Sequence, residues 1–142
     1  MRRMTSRRDA DDEGSVLLLA LGYALLAIAV IFVCVCATDL YITQKRLDSL
    51  ADSAALAGAD GFTFSIDAAG PHAELTDDGV LEQAEALLAA TPTDAVLVSA
   101  GTPDGVSARV TVAGVWHPPL LSPFVPEGVP LESTGTSRTA LQ

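Results

Sequence analysis

Cysteine is almost missing from this chain. The 142 residues hold two, Cys34 and Cys36, both inside one apolar run. The remainder therefore has no disulfide frame, and its core has to hold by packing alone. On a helix, positions i and i+2 point about 200° apart, so the pair neither bridges nor shares a metal ion. They read as small apolar-like side chains, with lipid attachment as the functional alternative. Against that alternative, Val33 and Val35 stand where a lipoprotein signal wants a small residue.

Positive charge is scarce as well: 8 Lys and Arg against 18 Asp and Glu. From Leu47 onward only Arg109 and Arg138 are basic, against thirteen acidic residues between Asp48 and Glu132. Such a segment does not hold nucleic acid or anionic lipid by charge attraction. Catalytic groupings are missing too. His72 and His117 are isolated in proline-flanked stretches without HExxH spacing, a weak signal for a metal site. Ser65, Ser99 and Ser122 have no GxSxG frame. Gly101 to Gly105 lacks the Lys-Ser/Thr end of a phosphate loop, and Asp77-Asp78 is not followed by calcium-loop spacing. We expect no enzyme, no cofactor and no metal.

What the chain does have is one long uncharged stretch. Val16 to Ala37, VLLLALGYALLAIAVIFVCVCA, carries only the Tyr23 hydroxyl and two thiols as polar groups. As a helix it reaches about 33 Å, against a bilayer hydrocarbon core of about 30 Å. The lipid bilayer is thus the first expected partner, with Val16 and Ala37 bounding the span. Arg2, Arg3, Arg7 and Arg8 precede the run, and only Lys45 and Arg46 follow it closely. By the positive-inside rule the N-terminus is cytoplasmic and the C-terminal part extracytoplasmic, in a single-pass protein of the cell membrane. The rival is a cleaved secretory signal, with Val35-Cys36-Ala37 as the cleavage site. The run exceeds the usual signal core of about 7–15 residues, which favours retention.

The helix is expected to continue past the membrane. Thr38 to Gly58 has no proline and no glycine before Gly58. Leu40, Leu47, Leu50, Ala54 and Ala57 recur at three- and four-residue spacing, with Lys45, Asp48, Asp52 and Ser53 mostly opposite. Three segments follow: residues 1–14 as a cytoplasmic tail, 15–58 as a transmembrane and stalk helix, and 59–142 as a small outer domain. Ala51, Ala54, Ala55, Ala57 and Ala59 admit close approach of another helix or of a sheet, or else serve helix propensity alone. Asp39 reads either as an interfacial carboxylate ending the span or as a contact fixing register with a neighbouring subunit.

In the outer domain, Ala59 to Thr76 reads as a linker, broken at Gly61, Gly70 and Pro71, with a short strand possible around Phe62, Phe64 and Ile66. Thr76 or Asp77 caps a helix through Val80, Leu81, Ala84, Leu87 and Leu88 that stops before Pro92. Ala95–Ala100 and Val106–Val115 read as strands around a glycine-bounded turn, and Leu131–Leu141 as a third. Val106, Ala108, Val110, Val112 and Gly114 share one strand face. Trp116 to Pro130 is a proline-rich loop, with Trp116 as a core or sheet-edge anchor rather than a ligand platform. The fold class is α+β: a long N-terminal transmembrane-plus-stalk helix, then one helix on a three-stranded antiparallel sheet.

Several residues together carry a resemblance. Gly14-Ser15 opens the apolar helix, and Asp39 and Tyr41 follow near its end. Gln44-Lys45-Arg46-Leu47 and then Ala51-Asp52-Ser53-Ala54-Ala55-Leu56-Ala57-Gly58-Ala59 come after. This resembles the N-terminal signature of the TadE/TadG-like proteins of the tight-adherence (Flp) pilus system, over about residues 14 to 60. The resemblance implies a non-enzymatic, minor pilin or pseudopilin-like component of a type IV-related pilus assembly or secretion system, with a pilin-like order of long helix then sheet. Implied partners are other pilus or pseudopilin subunits and membrane platform proteins, in a hetero- or homo-oligomer, and no nucleic acid. The expected contact residues are Asp39, Leu40, Leu47, Leu50, Asp52, Ala54, Ala55 and Ala57. Gly14 would place Leu19 where processed pilins of this class carry a glutamate, which speaks against prepilin-peptidase cleavage. The alternative function is a tethered or signal-peptide-released envelope binding domain that uses the Trp116 to Pro130 loop.

Overall fold

The computed structural model describes the backbone of residues 8–67, 70–119 and 121–138. An uninterrupted helix, α1 (Arg8–Ala59), opens the chain. It begins seven residues earlier than the Gly14-Ser15 start suggested by capping: the backbone of residues 8–14 is already helical, and residues 1–7 of the expected tail lie outside the described residues. By contacts the chain divides into residues 1–38 and residues 39–142.

In the first unit, the described side chains from Ser15 to Thr38 are exposed except for the half-buried Phe32 and Cys36. Leu17, Leu18, Ile28, Ile31 and Val33 each expose 63% or more of their surface. This helix is long and apolar enough to cross a membrane, with none of its most apolar window buried by the protein.

The second unit begins with the rest of α1. After Gly61 come a hairpin of β1 (Thr63–Asp67) and β2 (Gly70–Glu74), the helix α2 (Asp77–Ala90), and strands β3 (Val96–Gly101), β4 (Ser107–Trp116) and β5 (Val129–Arg138). β3, β4 and β5 form one antiparallel sheet in that order, with Val110 opposite Gly135 and Trp116 opposite Val129. The expected α+β class, with its second helix and three-stranded sheet, is borne out. The hairpin is a correction. Gly70-Pro71 was read as a break, but Gly70 pairs with Asp67 and Pro71 with Ile66, so both lie in a strand. An outer strand tolerates proline because one side of its ladder needs no N–H donor.

Alternation in β4 sets the core. Ala108, Val110 and Val112 are fully buried, while Arg109 and Val115 face out. Ser107 is buried on the other parity because its hydroxyl and amide both bond Asp104. Val80 and Ala84 of α2 close the core from one side. Thr76 is the N-cap, accepting from the Gly79 amide at 3.2 Å. Asp77, next in line, accepts from the Thr102 amide at 2.7 Å and so ties the start of α2 to the β3–β4 turn.

Candidate functional site

The residues picked out on α1 divide by what covers them. Leu47, Ala51, Ala54, Ala55 and Ala59 belong to the core, packed with Ala108, Val110 and Val112 of the sheet and Val80 of α2. Expecting Leu47, Ala54 and Ala55 to meet another subunit therefore needs correcting: the chain's own sheet occupies that face. Their spacing signals an apolar partner but does not say whether it comes from the same chain. Leu40, Leu50 and Ala57 are half-buried, and Asp52 is exposed. Val16 and Ala37 are both exposed.

The alanines matter because the backbones come close. A Cβ built on Gly135 of β5 would lie 2.6 Å from the Asp52 amide nitrogen and closer still to the Ala51 carbonyl. A Cβ on Gly58 would lie 2.8 Å from Val80 Cγ1. A larger side chain at Ala51, Ala54 or Ala55 would lift the helix off the sheet.

Polar groups along the same stretch fix the helix against β5. Asp48 accepts from the Ser133 hydroxyl at 2.7 Å, from Lys45 Nζ at 2.9 Å and from Gln44 Nε2 at 3.0 Å. Gln44 Nε2 also donates to the Glu132 carbonyl at 3.1 Å. The Ser133 hydroxyl first, then Lys45 and Gln44, hold the Asp48 carboxyl down at about 2, below the usual carboxylate range. The hydrogen bond to Asp48 first, and then its charge, raises the pKa of the Lys45 ammonium in turn. Each of these groups favours the ionised carboxylate by donating to it.

Asp39 has a partner that sequence spacing could not reveal. Trp116 Nε1 donates to its Oδ2 at 2.8 Å, across 77 positions of sequence. This satisfies the indole N–H that a half-buried tryptophan has to place somewhere. Trp116 ends β4, half-buried, and Asp39 is bonded within its own chain. The remaining exposed strip of α1 carries Tyr41, Lys45, Ser49, Asp52, Ser53 and Leu56, with Leu56 59% and Tyr41 63% exposed. Lys45 Nζ stands 5.9 Å from the Tyr41 ring centroid, within cation–π range. Among the described residues, no group of three or more His, Cys, Asp or Glu side chains is placed to hold a metal ion.

No curated protein and no solved structure matches this chain. A family model does match, at residues 14–61, described as "Putative Flp pilus-assembly TadE/G-like". The matched stretch takes in the apolar run, Asp39, the α1 members Gln44, Lys45 and Asp48 of the polar cluster, the alanine face and Gly61, where an added Cβ would lie 2.7 Å from the Gly79 carbonyl oxygen. The resemblance read from Gly14-Ser15 and the Ala51 to Ala59 run is thus borne out: residues 14–61 are similar to the TadE/G-like proteins of Flp pilus assembly.

Proposed function

We propose that this protein is a membrane-anchored, non-enzymatic component of a tight-adherence (Flp) pilus assembly or secretion system, of minor pilin or pseudopilin type. The match of residues 14–61 to the Flp pilus-assembly family carries the reading. The uncharged, uncovered helix from Val16 to Ala37 supports an anchor, since an apolar surface all the way round has no place in water. In this reading the N-terminus is cytoplasmic and residues 39–142 lie outside. Partner subunits meet the exposed strip of α1, at Asp52 and Leu56, in place of the occupied alanine face. The domain binds and builds; it transforms no substrate.

The test is site-specific photocrosslinking from position 56 in cells carrying the pilus locus. Adducts with pilus subunits or platform proteins are the expected result. Unaltered piliation in a deletion strain, together with no such adduct, would overturn the assignment.

One observation favours a second reading. The candidate cleavage point after Ala37 falls beside the boundary at Thr38/Asp39, so cleavage there would release residues 38–142, which hold the second compact unit whole. Mass spectrometry of the mature N-terminus separates the two: a product starting at Thr38 supports the released domain.

A further inference from the structure

From Val110 to Pro126 the chain carries no Asp, Glu, Lys or Arg, in a protein of net charge −10. The second half of that stretch is the loop between β4 and β5, Trp-His-Pro-Pro-Leu-Leu-Ser-Pro-Phe-Val-Pro. Phe124 is 80% exposed, the most exposed large hydrophobic residue described, and Leu121 exposes 37%. The loop's described backbone amides donate within the loop itself. Leu121 and Ser122 donate to the Pro118 carbonyl, and Phe124 and Val125 to that of Leu121. Pro118, Pro119, Pro123 and Pro126 have no N–H to place. Every described amide N–H between 118 and 126 is therefore either absent or bonded within the loop.

This combination suits a medium poorer than water in hydrogen-bond partners. Covalent connectivity supplies its location. Trp116, at the foot of the loop, bonds Asp39, and in the sequence Asp39 follows Ala37, where the apolar run ends, by two residues. Tyr41, 63% exposed, is two residues further on. Tryptophan and tyrosine concentrate at the membrane–water boundary, where an apolar ring and a polar tip are both satisfied.

We propose that the Pro118–Pro126 loop inserts into the interfacial layer of the bilayer at the outer end of the span, with Phe124 as its apolar wedge. The protein then touches lipid twice, once through the helix and once through the loop. The occupant is the acyl–headgroup boundary of a bilayer. Uncharged as it is, the loop needs no anionic lipid. The inference rests on the anchored reading given above and adds a second lipid contact to it.

The test uses the full chain at one copy per phosphatidylcholine nanodisc, with an environment-sensitive fluorophore on single cysteines. One label sits on native Cys34 in a C36S background. Others sit at S122C and, as a reference on the outer side of α2, at E85C, both in a C34S/C36S background. Lipids carry a nitroxide either deep in the chain or near the headgroup. Expected are deep quenching at Cys34, and shallow quenching at position 122 about threefold stronger than at position 85, matching insertion of roughly 5–10 Å. F124D should bring position 122 down to the level of position 85.

Quenching at Cys34 with a water-like label at 122 overturns this inference and leaves the anchor standing. No quenching at Cys34 overturns both. A label at 122 that is shielded from iodide but indifferent to lipid nitroxide, and only at several copies per disc, would assign the loop to a second copy and likewise overturn the lipid contact.

Discussion

Replacing Gly135 with alanine adds one methyl group where α1 and β5 come closest. Its Cβ would stand 2.6 Å from the Asp52 amide nitrogen and nearer to the Ala51 carbonyl, against an ordinary carbon contact of about 3.5–4.0 Å. Both opposing atoms are backbone, so no side-chain rotation relieves the clash. Either the sheet moves about 1 Å from the helix, opening the packing of Ala51, Ala54 and Ala55 on Val110, or β5 buckles. Overpacking of this kind costs about 1–3 kcal/mol. With about 2 kcal/mol and about 4–8 °C per kcal/mol for a unit of this size, the melting midpoint falls by roughly 8–16 °C.

Trp116 is the single tryptophan, so its emission in the detergent-solubilised full chain reports melting of this unit. T136A, a small truncation on the exposed side of the same strand, is the control. A51G added to G135A should not rescue, because the obstacle is the carbonyl and glycine weakens a helix interior by about 1 kcal/mol. A midpoint for G135A within about 2 °C of the parent would refute the close approach on which the packing argument stands.

Asp48 is held down at about 2 in the fold against an ordinary 3.8, so its bonds support the folded state above pH 4 and the support is lost as pH falls toward 2. D48N should flatten the acid limb of the stability curve in that window, measured by acid titration of tryptophan emission, and an unchanged limb would remove the cluster's role. Trp116→Phe leaves Asp39 without its indole donor and should cost about 1–2 kcal/mol in denaturant melts, whereas D39N, which keeps an acceptor, should cost less. A55L should destabilise residues 39–142 and raise their protease sensitivity while membrane insertion proceeds normally. Leucine at an exposed position on the same helix, S53L, should leave stability within about 0.5 kcal/mol of the parent.

Patterning within a single element made much of this legible. The apolar run, the alternation from Ala108 to Val112 and the Thr76 cap each depend on neighbours a few residues apart. The hairpin was missed because Gly70-Pro71 is chemically a breaker, and only the pairing of Pro71 with Ile66 shows it inside a ladder. The alanines of α1 leave two purposes open in the sequence, since a good helix former and a surface that admits a sheet or a second helix require the same residue. Asp39 stood out as a lone charge, yet its bond to Trp116 spans 77 positions and no local spacing encodes it. Ser133 and Gly135, which complete the Asp48 cluster and the close approach, sit in a stretch of small polar residues whose pattern says only strand.

The seating of α1 against β5 also sets an order of events. The helix is synthesised well before β5, the strand that covers its alanine face. The contact between Ala51 and Gly135 closes a loop of more than eighty residues, and distant pairings of this kind slow folding. Until β5 is in place, that small-residue face stays uncovered. An unfinished chain therefore exposes this small-residue surface for a limited time, and completing its own sheet covers it.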